Sequence, residues 1–151
     1  MKRIFNKKRV CIIGHYGFDE NLLNGQTVKT KIITKELENQ LGKDEVLKID
    51  THGGKKKMLR LILQLPVTMK NVKNIIMMPA HNGIRFFAPL LVFFNSFFHI
   101  KLHYVVIGGW LPEFLENKKR LKKNLKKFNG IYVETNTMKN NLEKLGFKNV
   151  Y

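Results

Sequence analysis

Short stretches of this chain carry the side chains that could do chemistry. The first, Gly14 to Thr30, reads G-H-Y-G-F-D-E-N-L-L-N-G-Q-T-V-K-T and lies between a short apolar run and a helix-like pattern. A phosphate-binding glycine loop would occupy that place, yet neither common spacing is present. A dinucleotide loop needs G-x-G-x-x-G directly between strand and helix, with an acidic residue about 20 positions further on. Here Gly14 and Gly17 are spaced G-x-x-G, and Asp50 lies well beyond that distance. A P-loop needs G-x-x-x-x-G-K-[ST], and Gly25 is followed by Gln26. What remains is Asn24-Gly25 at a helix N-terminus, where a glycine lets an anion approach backbone N–H groups and the positive dipole end. Thr27, Lys29 and Thr30 add polar groups on the first turns. The same residues also read as a helix cap and nothing more.

Two further stretches follow apolar runs. His81-Asn82-Gly83 is well placed for a ligand, but a histidine after a strand is also a common cap. Gly108-Gly109-Trp110-Leu111-Pro112-Glu113 joins two glycines, which allow close backbone approach, to an indole that could stack on a sugar or base. The plain alternative is a tight turn with Trp110 covering the core.

Two stretches point to a surface rather than a pocket. Phe86 to Phe98, F-F-A-P-L-L-V-F-F-N-S-F-F, is hydrophobic all round. It is shorter than the roughly 20 residues that span a bilayer, and Pro89, Asn95 and Ser96 interrupt it. It reads as a buried helix or as one dipped into a single leaflet. Arg85 before it and His99 and Lys101 after it suit the second reading, with Phe86 and Phe87 towards lipid. Lys118 to Lys127, K-K-R-L-K-K-N-L-K-K, keeps its leucines on one face and presents Lys118, Lys119, Arg120, Lys122 and Lys123 elsewhere. Anionic lipid attracts such clusters at about 1 kcal/mol per cation. Nucleic acid would too, but base stacking needs aromatics among the cations, and this run holds none. A solvated face that serves only solubility is the remaining reading.

These residues need elements to hold them. Arg9–Gly14 reads as a buried strand. Gly25–Leu41 reads as a helix with Val28, Ile32, Ile33, Leu37 and Leu41 inward and Gly42 as its stop. A strand at 45–50 precedes a helix from Lys55 to Leu65, which Pro66 should end. A strand at 74–78, an apolar helix at 83–98 and a strand at 102–107 come next. One helix over 111–128 turns Leu111, Phe114, Leu115, Leu121, Leu125 and Phe128 inward. A strand at 131–134 leads to a helix at 137–145, with Asn136 as N-cap and Gly146 after its end. A sixth strand begins at Asn149. Strands alternating with helices predict an α/β fold: a Rossmann-like parallel sheet with helices on both faces, in a single domain over 1–151. Ligands in such folds bind at the carboxyl ends of the strands, where loops begin at Gly14, Thr51, Pro79, Gly108 and Thr135.

The bulk composition agrees with a folded chain that meets an anionic partner. Hydrophobic residues are 44% of the 151, enough for a core. Lys and Arg number 28 against 11 Asp and Glu, a net charge of +17. No Asp or Glu occurs from Thr51 to Pro112, where Lys55, Lys56, Lys57, Arg60, Lys70, Lys73, Arg85 and Lys101 lie among apolar runs. Basic and greasy together point to a membrane surface more than to a duplex. The single cysteine, Cys11, excludes an internal disulfide and a multi-cysteine zinc site, and reads as a buried small hydrophobe in a reducing compartment. Met1 to Arg9 is basic, but the apolar run after it is too short for a signal-peptide core, so a cytoplasmic protein is expected.

Taken in order, V-C-I-I-G-H-Y-G…N-G-Q-T-V-K-T, V-V-I-G-G-W-L-P-E-F and F-N-G-I-Y-V-E-T-N-T-M-K-N-N-L-E-K-L-G-F-K-N-V-Y resemble the N-terminal half of a GT-B glycosyltransferase of the family-4 type. These are bacterial polysaccharide and lipid-linked-sugar enzymes, and the resemblance spans nearly the whole chain. It implies a Rossmann-like domain that binds the acceptor, peripheral on the inner face of the plasma membrane. The partner domain binds a nucleotide-sugar, which is a substrate, and no metal or cofactor is required. It places the loop of Gly14, Gly17, Asn24, Gly25, Gln26, Thr27 and Lys29 towards the donor phosphates or the acceptor. Asn82, Gly108, Gly109, Trp110, Glu134 and Thr135 would line the cleft. Where many relatives carry a histidine after the mid-domain strand, this sequence has Gly108-Gly109, and His15 and His81 are the histidines left for that catalytic role. The family's acidic donor-binding motif belongs to a C-terminal domain that these residues do not contain. A further domain or a separate donor-binding subunit is therefore expected, and the isolated chain should lack transferase activity. A non-catalytic membrane-docking subunit and a basic nucleic-acid module are the competing readings, with no nucleic acid expected as partner under the first.

Overall fold

The computed structural model describes residues 7–18 and 24–151. The first six residues of the basic N-terminal stretch and residues 19–23 of the opening loop lie outside the described residues. Strands β1 (Lys8–Gly14), β2 (Val46–Asp50), β3 (Val72–Met77), β4 (Lys101–Val105) and β5 (Gly130–Tyr132) form one sheet in the order β2-β1-β3-β4-β5. Every pairing is parallel, with Val10 opposite Val46 on one side of β1 and Asn74 on the other. The helices are α1 (Gly25–Leu41), α2 (Lys55–Asn71), α3 (His81–Phe98), α4 (Leu111–Leu115), α5 (Lys119–Leu125) and α6 (Asn136–Lys144). The expected α/β class and parallel sheet are found.

Alternate residues of the buried strands face opposite layers. Cys11, Ile13, Ile75 and Met77 pack with α2, α3, α4, α5 and α6 in one core. Val10, Ile12 and Ile76 pack with Ile33, Leu37 and Leu41 of α1 in a second. Cys11 is fully buried, and burial pushes its thiol up to about 12.

The structure corrects the sequence reading in several places, each for a packing reason. Helix α1 has the expected bounds, but its most buried stripe is Thr27, Thr30 and Thr34, while Val28 and Ile32 are exposed. Small hydroxyl residues let α1 approach the end of β1. A Cβ at Gly14 would lie 2.5 Å from Thr30 Cγ2, so Gly14 is there for close contact. Helix α2 runs through Pro66 to Asn71. The missing proline N–H costs about 3 kcal/mol, but Leu65 and Met69 on either side are fully buried, and two such side chains contribute about 1.5–3 kcal/mol each.

The single helix expected over 111–128 is two. Six residues separate Leu115 from Leu121, a rotation of about 240° on one straight helix, so both leucines reach the core only if the chain breaks between them. It does so at 116–118. Thr135, not Asn136, caps α6, accepting from the Met138 N–H at 3.2 Å. The sixth strand is a single parallel pairing of Ile131 with Val150.

Candidate functional site

In this sheet order the chain reverses direction between β1 and β3, and the crevice at that switch is where such folds bind ligands. Loops after β1, β2, β3 and β4 converge along this edge. They carry two constellations.

The first stands on the loops after β1 and β2. His15 Nδ1 lies 2.8 Å from Thr27 Oγ1, and His15 Nε2 lies 3.1 Å from His52 Nδ1. The two imidazoles meet edge to face at 4.9 Å. Thr27 is fully buried in the first turn of α1, so the helix fixes the tautomeric chain from below. Either direction of proton donation gives each contact one donor and one acceptor. Such a chain can share a proton between the two imidazoles, with Thr27 fixing the tautomer of His15.

Beside it the glycine loop turns out to hold an anion of its own. The Asp50 carboxylate accepts the N–H groups of Tyr16 (2.9 Å), Gly17 (3.3 Å), Phe18 (3.2 Å) and His52 (2.9 Å), and Lys57 Nζ lies 3.3 Å away. Burial raises its pKa, but those four backbone donors outweigh it and bring the carboxyl down to about 2. The Gly17 N–H thus serves Asp50, while Gly14 packs against Thr30. Gly17 has φ +57, which aims its N–H inward at no steric cost.

The start of α1 is capped as its sequence suggested. Asn24 Oδ1 accepts from the Thr27 N–H at 2.9 Å, and Gly25 faces open space where a Cβ would stand. Gln26 Nε2 reaches the Met78 carbonyl at 3.5 Å, tying α1 to the end of β3. Lys29 is paired with Glu134, so its charge is directed to the loop after β5. Thr135 serves as a helix cap.

The second constellation is aromatic. His81, the first residue of α3, stacks on Trp110 with ring centroids 4.1 Å apart and planes at 26°. Phe114 meets both edge-on, at 5.4 Å and 5.2 Å. Trp110 is anchored by its indole N–H to the Ile107 carbonyl at 2.9 Å. His81 has φ +26, a backbone strain that structures hold mainly at functional sites. Lys118 Nζ sits 4.0 Å over the Phe114 ring. Asn82 is exposed beside His81, and Gly108, with φ +86, turns the chain into Gly109 and Trp110.

The two histidines picked from sequence thus sit in different constellations. The residues that complete them, His52, Asp50 and Phe114, were not singled out as site residues. Asp50 was visible at the end of β2, but only a strand pairing in the register Gly14–Asp50 shows which loop it serves. Among the described residues no three His, Cys, Asp or Glu side chains form a metal set.

The surface residues redistribute. Phe87 is fully buried against the sheet, which corrects the expectation that it faces lipid, and Phe86 packs half-buried on the same core. Arg85, Lys119, Arg120 and Lys123 are exposed, while Lys122 Nζ donates to the Glu116 carbonyl at 3.0 Å. Among the described residues no helix is long and apolar enough to cross a membrane. No protein-family model, curated protein or solved structure matches the chain.

Proposed function

We propose that the chain is the acceptor-binding half of a membrane-associated GT-B glycosyltransferase, moving a sugar from a nucleotide-sugar to a lipid-linked or polysaccharide acceptor. The observation that carries this reading is the pairing of two constellations at one sheet edge. The imidazole pair His15–His52, oriented by Thr27, can serve as the base that takes the proton of an acceptor hydroxyl. The His81–Trp110–Phe114 cluster offers a face on which a sugar ring can lie. The donor half comes from a C-terminal domain or a separate subunit, and the nucleotide-sugar enters as substrate.

Trp110 is the single tryptophan, so its fluorescence reads this site directly. Titration with a short-chain polyprenyl-diphosphate sugar should give a saturable change that His81→Ala removes. A flat response to that probe, with a salt-sensitive response to random duplex DNA, would instead favour a basic nucleic-acid module. A second reading, a non-catalytic docking subunit, draws on the glycine loop being filled by Asp50. Under it, His15→Ala and His81→Ala leave the partner's transfer rate unchanged.

A further inference from the structure

We propose that the face built by α2, α3 and α5 docks on an anionic phospholipid bilayer, with an apolar wedge entering the interface and a cationic cleft beside it taking lipid phosphates. This names the surface for the membrane part of the reading above and rests on it.

Only the end of the apolar run 86–98 belongs to the wedge, and the rest comes from α2. Helix α2 is apolar on two sides. Leu61, Leu65 and Met69 are buried in the core, whereas Leu59, Leu63 and Val67 form an outward stripe, 61%, 72% and 62% exposed. On α3, Phe93 and Phe97 are 60% and 68% exposed, with ring centroids 5.8 Å apart. Both helices cover the same side of the sheet, so the two stripes face away from it together. Moving a large apolar side chain out of water contributes about 1.5–3 kcal/mol when complete. Five in one face are a docking surface rather than scattered exposure.

The cleft is independent of the wedge. Arg85 of α3 and Lys118, Lys119 and Arg120 at the start of α5 line an open cleft of about 620 Å³, with Pro89 and Leu121 as its apolar part and no acidic residue in its lining. Lys118 is engaged with the Phe114 ring, and the remaining three cations line the cleft with no acidic residue among its walls, which suits an anion.

Charge decides the occupant. Lys56, Arg60 and Lys70 are exposed on α2 alongside its stripe, and no Asp or Glu occurs from Thr51 to Pro112. Two copies meeting through this face would bring like charges together, in a chain of net charge +17. Anionic headgroups complement it at about 1 kcal/mol per cation near the surface. Since none of these helices can cross a bilayer, the contact is with one leaflet.

The test is co-sedimentation of the whole chain with vesicles of phosphatidylcholine alone or mixed with phosphatidylglycerol, at low and high salt. Binding is expected to the mixed vesicles only. The pairs Leu63→Ser/Val67→Ser and Phe93→Ser/Phe97→Ser should each weaken it about tenfold, the equivalent of about 1.4 kcal/mol. Arg85→Gln/Lys119→Gln should flatten its salt dependence. Thermal melts by circular dichroism confirm that the variants fold. Wild-type-like binding by all three variants overturns the assignment while leaving a membrane role elsewhere on the chain. No vesicle binding by the wild type overturns both. A dimer in light scattering that the stripe variants dissociate, without vesicle binding, identifies a second copy as occupant and also overturns the proposal.

Discussion

Replacing Asp50 by asparagine tests whether a protein carboxylate, and not a ligand, holds the first loop. Asparagine keeps the shape and one acceptor oxygen, which can still serve the Tyr16 and His52 amides. Its amino group then confronts the Phe18 N–H and Lys57, which Asp50 meets at 3.2 Å and 3.3 Å through its second oxygen. The lowered pKa gives the magnitude. A fall from 3.8 to about 2 corresponds to roughly 2 kcal/mol of stability at about 1.4 kcal/mol per pH unit. For a chain of this length that is a drop of roughly 4–8 °C in Tm. The sign follows from the depressed pKa: the contribution is complete above the unfolded value of 3.8 and fades as pH falls through about 2. Urea unfolding of wild type and Asp50→Asn should therefore differ by about 2 kcal/mol at pH 6 and by about half of that at pH 3. Equal stabilities at pH 6, or a gap that does not narrow by pH 3, would mean that the Asp50 carboxylate does not hold this loop.

Other expectations follow from single contacts. Gly14→Ala should destabilise by about 1–3 kcal/mol, because its Cβ meets Thr30 Cγ2 at 2.5 Å; adding Thr30→Ser, which removes that methyl, should recover part of the loss in urea melts. Cys11, fully buried with its thiol pushed up to about 12, should react with a disulfide reagent only as fast as the chain opens, and at once in denaturant. The isolated chain should not turn over any nucleotide-sugar in a coupled release assay, and turnover would mean that the donor site lies within these residues.

The layered α/β plan was legible because apolar runs and helical periods alternate along the chain, and buried parallel strands such as Val10–Ile13 read as continuous apolar segments. What failed did so where packing overrides local signals. Pro66 stays inside a helix because Leu65 and Met69 are buried on either side of it. Thr27, Thr30 and Thr34, polar by type, form the buried face of α1 because a glycine-ended strand draws the helix close. The candidate site was half legible. His15, His81 and Trp110 stood out by their places after strands. Phe114 lies one helical turn after Trp110, but His52 and Asp50 come from the end of β2, and only the pairing of β2 with β1 brings them beside the first loop. The outward stripe of α2 was hidden because a helix apolar on two sides carries no simple period.

Membranes of the source cells show directly whether the chain takes part in sugar transfer. Membranes from cells with and without this chain are incubated with labelled nucleotide-sugars, and label in the lipid and polysaccharide fractions is counted. Removal should abolish labelling of one such product, the wild-type chain should restore it, and His81→Ala should not. Unchanged labelling of every product after removal would contradict a part in sugar transfer.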